Sequence, residues 1–192
     1  MRSKSLFAAK VAIGAAISMG VNADVIFNNL GSGNVAQKGG WIEVNAGAVP
    51  TVEFWSYTEY RVTEIDVSLV NVGGTNSATI SLLSSTTGGA PGVVLGTWNV
   101  SGQPSSNYDG PRLTNITNIC GVHLAAGKRY FLRIAPADAT TQDLWAINQR
   151  QAPATLYFGD TLSAYQEGAP AFDVIGKAVL PGTVASELCP NA

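Results

Sequence analysis

His123 is the only histidine in this 192-residue chain, so Ser-His-Asp or Cys-His chemistry would have to run through it. It lies between Val122 and Leu124, and alternation turns it away from those apolar neighbours, as at an ordinary exposed strand position. Neither Gly-x-Ser-x-Gly nor His-Glu-x-x-His occurs. Glycoside hydrolysis would need two carboxylates about 5–9 Å apart across a cleft. Glu53, Glu59, Glu64 and Asp66 are close in sequence, but Glu64 and Asp66 read as the solvated face of one alternating strand. No catalytic residue is therefore assigned, and the chain is not expected to be an enzyme. Asp138, Asp143, Asp160 and Asp173 are the kind of oxygen ligand that calcium takes. No Asp-x-Asp-x-Asp loop gathers them, so calcium stays unassigned and no cofactor is expected.

Cys120 and Cys189 are the only cysteines. In an exported chain an even count predicts a disulfide, closing a loop of about 70 residues and contributing about 4 kcal/mol at most. The alternative is one buried thiol and one free thiol in the tail. Two cysteines with no nearby histidine cannot complete the four ligands of a structural zinc, so no metal site is expected.

Four tryptophans remain: Trp41, Trp55, Trp98 and Trp145. Trp98 shares a strand face with Val94, Gly96 and Val100, and Trp145 shares one with Ile147; both are expected in the core. Phe54 takes a buried position, so Trp55 projects from the opposite face with Tyr57 two residues on. Such a pair is either a stacking platform for sugar rings or a contact for another protein. The alternative, towards which the sequence leans, is that both lie beneath a loop or the segment around Trp41.

The elements that must position these residues are strands. Ile65, Val67 and Leu69 alternate with Glu64, Asp66 and Ser68, and Ala78, Ile80 and Leu82 alternate with Thr79 and Ser81. Thr87 to Gly92 then forms a glycine-proline turn before Val93–Val100. Further strands are predicted at Val25–Asn28, Trp41–Val44, Val52–Tyr57, Arg112–Ile119, Arg129–Ala135, Leu144–Gln149, Thr155–Phe158 and Ala171–Gly176. Tyr130, Leu132 and Ile134 are expected inward, with Phe131 and Arg133 on the other side. Phe172 and Val174 are expected inward and Asp173 outside. Short strands separated by Gly, Asn, Ser and Pro clusters predict an all-β antiparallel sandwich.

Residues 1–23 read as a cleavable signal peptide. Arg2, Lys4 and Lys10 precede the apolar run Val11–Val21, and Val21-Asn22-Ala23 offers a cleavage site before Asp24. The run is shorter than the roughly 20 residues a membrane span needs. Residues 24–176 form the sandwich domain and 177–192 a tail. Eight Lys and Arg against thirteen Asp and Glu leave the chain from Asp24 onward at −5. Its densest basic group is Lys128, Arg129 and Arg133, too sparse for a nucleic-acid footprint or an anionic membrane. Membrane insertion after signal cleavage is not expected either.

In this order the segments resemble the choice-of-anchor domains of exported bacterial proteins, the R class among them. The resemblance rests on Phe27 to Asn34, on Phe54 and Tyr60 ahead of Ile65-Asp66-Val67-Ser68-Leu69, and on Ile80-Ser81-Leu82 before Gly89-Ala90-Pro91-Gly92. It continues through Leu124-Ala125-Ala126-Gly127 before Tyr130-Phe131-Leu132, Trp145 with Asn148, and Ala171 to Gly176. It implies a jelly-roll-like sandwich on an exported protein and brings no catalytic residues. Lys177 to Ala192 holds no sorting motif with an apolar helix and basic end, so it departs from the family's usual anchor. The expected function is a secreted, non-catalytic module for binding or scaffolding at the cell surface, in the extracellular matrix or in the periplasm. Extracellular polysaccharide or surface proteins are the expected partners. The alternatives are a carbohydrate-binding module using Trp55 and Tyr57, and a polysaccharide hydrolase with an unrecognised carboxylate pair.

Overall fold

The computed structural model describes residues 23–30, 38–105, 113–148, 154–158, 161–165 and 168–180. Over these residues the protein is an all-β, antiparallel sandwich of two sheets in a jelly-roll-like arrangement. The first sheet holds β1 (Asp24–Asn28), β2 (Lys38–Val44), β4 (Tyr60–Gly73), β7 (Leu113–Ile116), β8 (His123–Leu124), β10 (Gln142–Asn148) and β13 (Phe172–Ala178). The second holds β3 (Pro50–Ser56), β5 (Ser77–Ser85), β6 (Pro91–Ser101), β9 (Lys128–Pro136), β11 (Ala154–Phe158) and β12 (Thr161–Tyr165). The first runs β1-β13-β4-β10-β2, with β7 and β8 also pairing β4; the second runs β12-β11-β3-β9-β5-β6.

Period-two alternation fills the space between the sheets. Ile65, Val67 and Leu69 of β4 meet Phe54, Ile80, Leu82, Leu132 and Ile134 in one apolar cluster. Phe172 anchors it: Phe27 stacks on its ring at 4.5 Å, and Phe54 and Trp145 meet it edge-on at 5.9 and 6.0 Å. Trp145 is fully buried and its Nε1 donates to the Ala171 carbonyl at 3.0 Å, satisfying the indole's one polar group. Trp98 is partly buried against the same cluster.

The eleven predicted segments all contain observed strand, and the structure adds β8 and β12. Each is a short strand without a strong alternating pattern of its own. β7 is shorter than its predicted segment: it ends at Ile116, and Ile119 returns to β4 by donating its N–H to the Thr63 carbonyl.

The larger corrections concern the outward faces. Asp66 and Asp173 face out, as alternation requires, yet they are 4% and 1% exposed rather than solvated. The same sheet also carries a second apolar cluster, Leu30, Ala146 and Ala171 with Trp41 and Leu113 packed against them. On the second sheet Phe131 also faces out and is buried, in a cluster with Leu83 and Tyr157. The β5–β6 turn lies over this cluster. The Gly89 carbonyl accepts from Tyr157 Oη at 3.4 Å and from Arg129 Nη1 at 3.2 Å. Gly89 sits at φ 85°, and a Cβ there would meet Arg129 Nη1 at 2.8 Å, so glycine suits the turn sterically and conformationally.

Candidate functional site

The outward face of β3 presents Glu53 and Trp55, and the chain turns just beyond Ser56 to expose Tyr57. Trp55 is 39% exposed and Tyr57 81%. The expectation that a loop or the Trp41 segment covers them is therefore corrected. Phe54, between Glu53 and Trp55, faces the core, and the strand's alternation forces Trp55 outward.

Cross-strand pairing fixes the indole. Trp55 stands opposite Arg129 on β9, and the guanidinium carbon lies 5.1 Å from the indole centroid. Glu53 Oε1 accepts from Trp55 Nε1 at 3.1 Å and from Arg129 Nε at 3.2 Å. The carboxylate thus holds ring and cation together, while Arg129 reaches on to the Gly89 carbonyl. A partly exposed ion pair of this kind is worth about 0.2–1 kcal/mol; its larger effect is to hold the indole in one orientation. Beyond Phe131 on this face of β9 comes Arg133, whose Nε donates to Thr51 Oγ1 at 3.2 Å. The result is an apolar ring and a phenol beside hydrogen-bonding groups, a combination that suits a flat, hydroxylated ligand. Glu59 is exposed beyond Tyr57.

Val93, Val94 and Leu95 of β6 are also exposed, but two register shifts against β5 at this point break the regular strand edge.

The acidic residues form separate sites. Asp138 is exposed in the turn before β10, where its carboxylate accepts from Thr75 Oγ1 at 2.6 Å and from the Thr140 N–H and Oγ1 at 2.8 and 2.7 Å. These bonds to the charged form hold its pKa down at about 2. Asp143, on β10, is buried and accepts from Asn71 Nδ2 at 2.8 Å; burial pushes its pKa up and the amide pulls it back. Asp173 pairs with Asp66 instead. Asp160 lies outside the described residues. The four acids considered for calcium are thus not brought together where they are described. Among the described residues no group of three or more His, Cys, Asp and Glu is arranged to hold a metal ion.

The Asp66–Asp173 pairing escaped sequence reading because it joins residues 107 positions apart. Asp173 lies opposite Asp66, with Asn115 of β7 beyond Asp66 and Asn28 of β1 beyond Asp173. Glu64, two residues before Asp66, has its pKa raised by burial and by the Asp66 charge. His123 is exposed at the start of β8, opposite Arg61. Cys120 is exposed shortly before β8, and Cys189 lies outside the described residues.

The fold and this strip define an all-β sandwich that presents an oriented aromatic surface. No protein-family model and no curated protein matches the chain.

Proposed function

We propose that the chain is an exported, non-catalytic β-sandwich module that binds an extracellular polysaccharide through Trp55 and Tyr57. One observation carries this reading: both aromatics are exposed, and Glu53 and Arg129 hold the indole on a rigid strand. An aromatic held in one orientation loses little entropy when a sugar ring stacks on it. The affinity of one such site is low, since each aromatic contact adds only about 0.5–1.5 kcal/mol beyond the area it covers.

The basic leader, apolar run and small-residue boundary before Asp24 support export, to the exterior, the cell surface or the periplasm. The sandwich is the architecture that the resemblance to choice-of-anchor domains implies, and it assigns no anchor. Asp66 and Asp173, paired across β4 and β13, are buried side by side rather than set across a cleft, which favours binding over hydrolysis.

A glycan array and insoluble-polysaccharide pull-downs on the chain from Asp24 onward test the reading. Retention on at least one polymer, lost in both Trp55→Ala and Tyr57→Ala with folding intact, is the expected result. Retention unchanged in both variants would move the site elsewhere, and reducing-sugar release would replace the non-catalytic reading.

A further inference from the structure

One row of the first sheet crosses four strands and reads Asn28, Asp173, Asp66, Asn115. The outer amides both donate inward: Asn28 Nδ2 to Asp173 Oδ2 at 3.3 Å, and Asn115 Nδ2 to Asp66 Oδ1. Asp173 Oδ1 is left buried with no hydrogen-bond partner. The two acid side chains are within hydrogen-bonding reach of each other, and both are almost wholly out of water. Two carboxylates so placed cannot both remain ionised at modest cost, because desolvation and mutual repulsion both oppose the second charge.

The surrounding charges do not relieve this. On β4, Glu64 adds a third negative charge and acts on Asp173. On β7 the strand residues Leu113–Ile116 are uncharged. Arg61 of β4, Lys177 of β13, His123 of β8 and Asp24 of β1 lie at the other end of the ladder: Lys177 pairs with Arg61, Arg61 with His123, and Asp24 with Gly176. At about 3.3 Å per residue, Lys177 is about 13 Å along the strand from Asp173.

We infer that Asp66 and Asp173 hold one proton between them in the folded protein, forming a proton-binding pair that fastens β13 to β4. The proton cancels one of the two charges and supplies a donor for the buried oxygen. Its loss leaves two adjacent anions on neighbouring strands, so the β1-β13-β4 seam weakens.

The pH dependence has a definite sign. Burial, the Asp66 carboxylate and Glu64 raise Asp173 from 3.8 to about 7. The folded chain therefore keeps a proton that the unfolded chain has released, and this pair's contribution to stability falls as pH rises from about 4 to about 7. Above that window the contribution is flat.

The test is the melting temperature of the whole chain from pH 4 to 8.5, for wild type, Asp173→Asn and Asp66→Asn. An amide keeps the donor without the charge. Each variant should lose the wild-type decline between pH 4 and 7 and melt several degrees above wild type at pH 8. The same decline in wild type and variants would overturn the inference. So would a rise in the wild-type melting temperature on adding calcium chloride at pH 8 that both variants lack, since a cation would then occupy the pair. Carboxyl carbon NMR of the wild type supplies a reading independent of variant folding. One titration at about pH 7 from this pair supports the shared proton, and two ordinary aspartate titrations reject it.

Discussion

Trp55 and Arg129 face each other across β3 and β9, with the guanidinium resting on the indole and Glu53 bonded to both. Trp55 is thus exposed without being loose. A cation over an exposed ring contributes about 0.5–1 kcal/mol, and the indole's covered part adds some burial. Trp55→Ala should therefore destabilise by about 1–2 kcal/mol in urea unfolding, well short of the 3–5 of a core aromatic. Tyr57→Ala should stay within about 0.5 kcal/mol of wild type. A loss above 3 kcal/mol at Trp55 would make it a structural residue and remove the leading residue of the binding surface.

Trp145 is the contrasting case. It is fully buried and bonded through Nε1 to the Ala171 carbonyl. Trp145→Phe should cost about 1–3 kcal/mol, combining lost volume with one lost hydrogen bond, while the Ala171 carbonyl keeps the Ser68 N–H at 3.2 Å. Unfolding midpoints of the two variants, measured side by side, check the sum.

Asp138 gives a second pH response of opposite sign. Its hydrogen bonds from Thr75 and Thr140 favour the ionised form, and its folded pKa is about 2. The stability it contributes is present above the ordinary aspartate value of 3.8 and is lost as pH falls towards about 2. Asp138→Asn should abolish that component of acid sensitivity, and carboxyl NMR should place the wild-type titration near pH 2. An unperturbed midpoint would mean that the turn around Thr75 and Thr140 is not held by this carboxylate.

A Cys120–Cys189 bridge would tie the tail to the turn before β8. If the chain is exported and cleaved as proposed, its intact mass should then match a chain beginning at Asp24 and lacking two hydrogens. Reduction should lower its stability by up to about 4 kcal/mol. Free thiols at both positions in freshly exported protein would dismiss the bridge.

Much of the sandwich was legible because alternation is a local signal: Ile65, Val67 and Leu69 announce their inward face without reference to any partner strand. The same signal correctly turned Asp66, Asp173 and Phe131 outward. It failed on their burial because what covers an outward face is chosen by tertiary packing. Phe131 lies under a turn anchored at Gly89, some forty residues away in the chain. The exposure of Trp55 and Tyr57 is the converse case, since nothing local says whether a loop will return across a given face. The Asn28–Asp173–Asp66–Asn115 row is legible only once register is known, because its members come from four strands spread along the chain.

Asp24 pairs with Gly176, so the first strand of the described chain finds its neighbour in the last. A ribosome supplies residues in order, and β1 therefore has no strand to pair with until β13 has been made. Strands that repeatedly cross between sheets add to the same delay, since long loops must close before their contacts can stabilise them. Folding is thus expected on the millisecond-to-second scale of non-local β topologies, with the β1–β13 seam completed only after β13 has emerged.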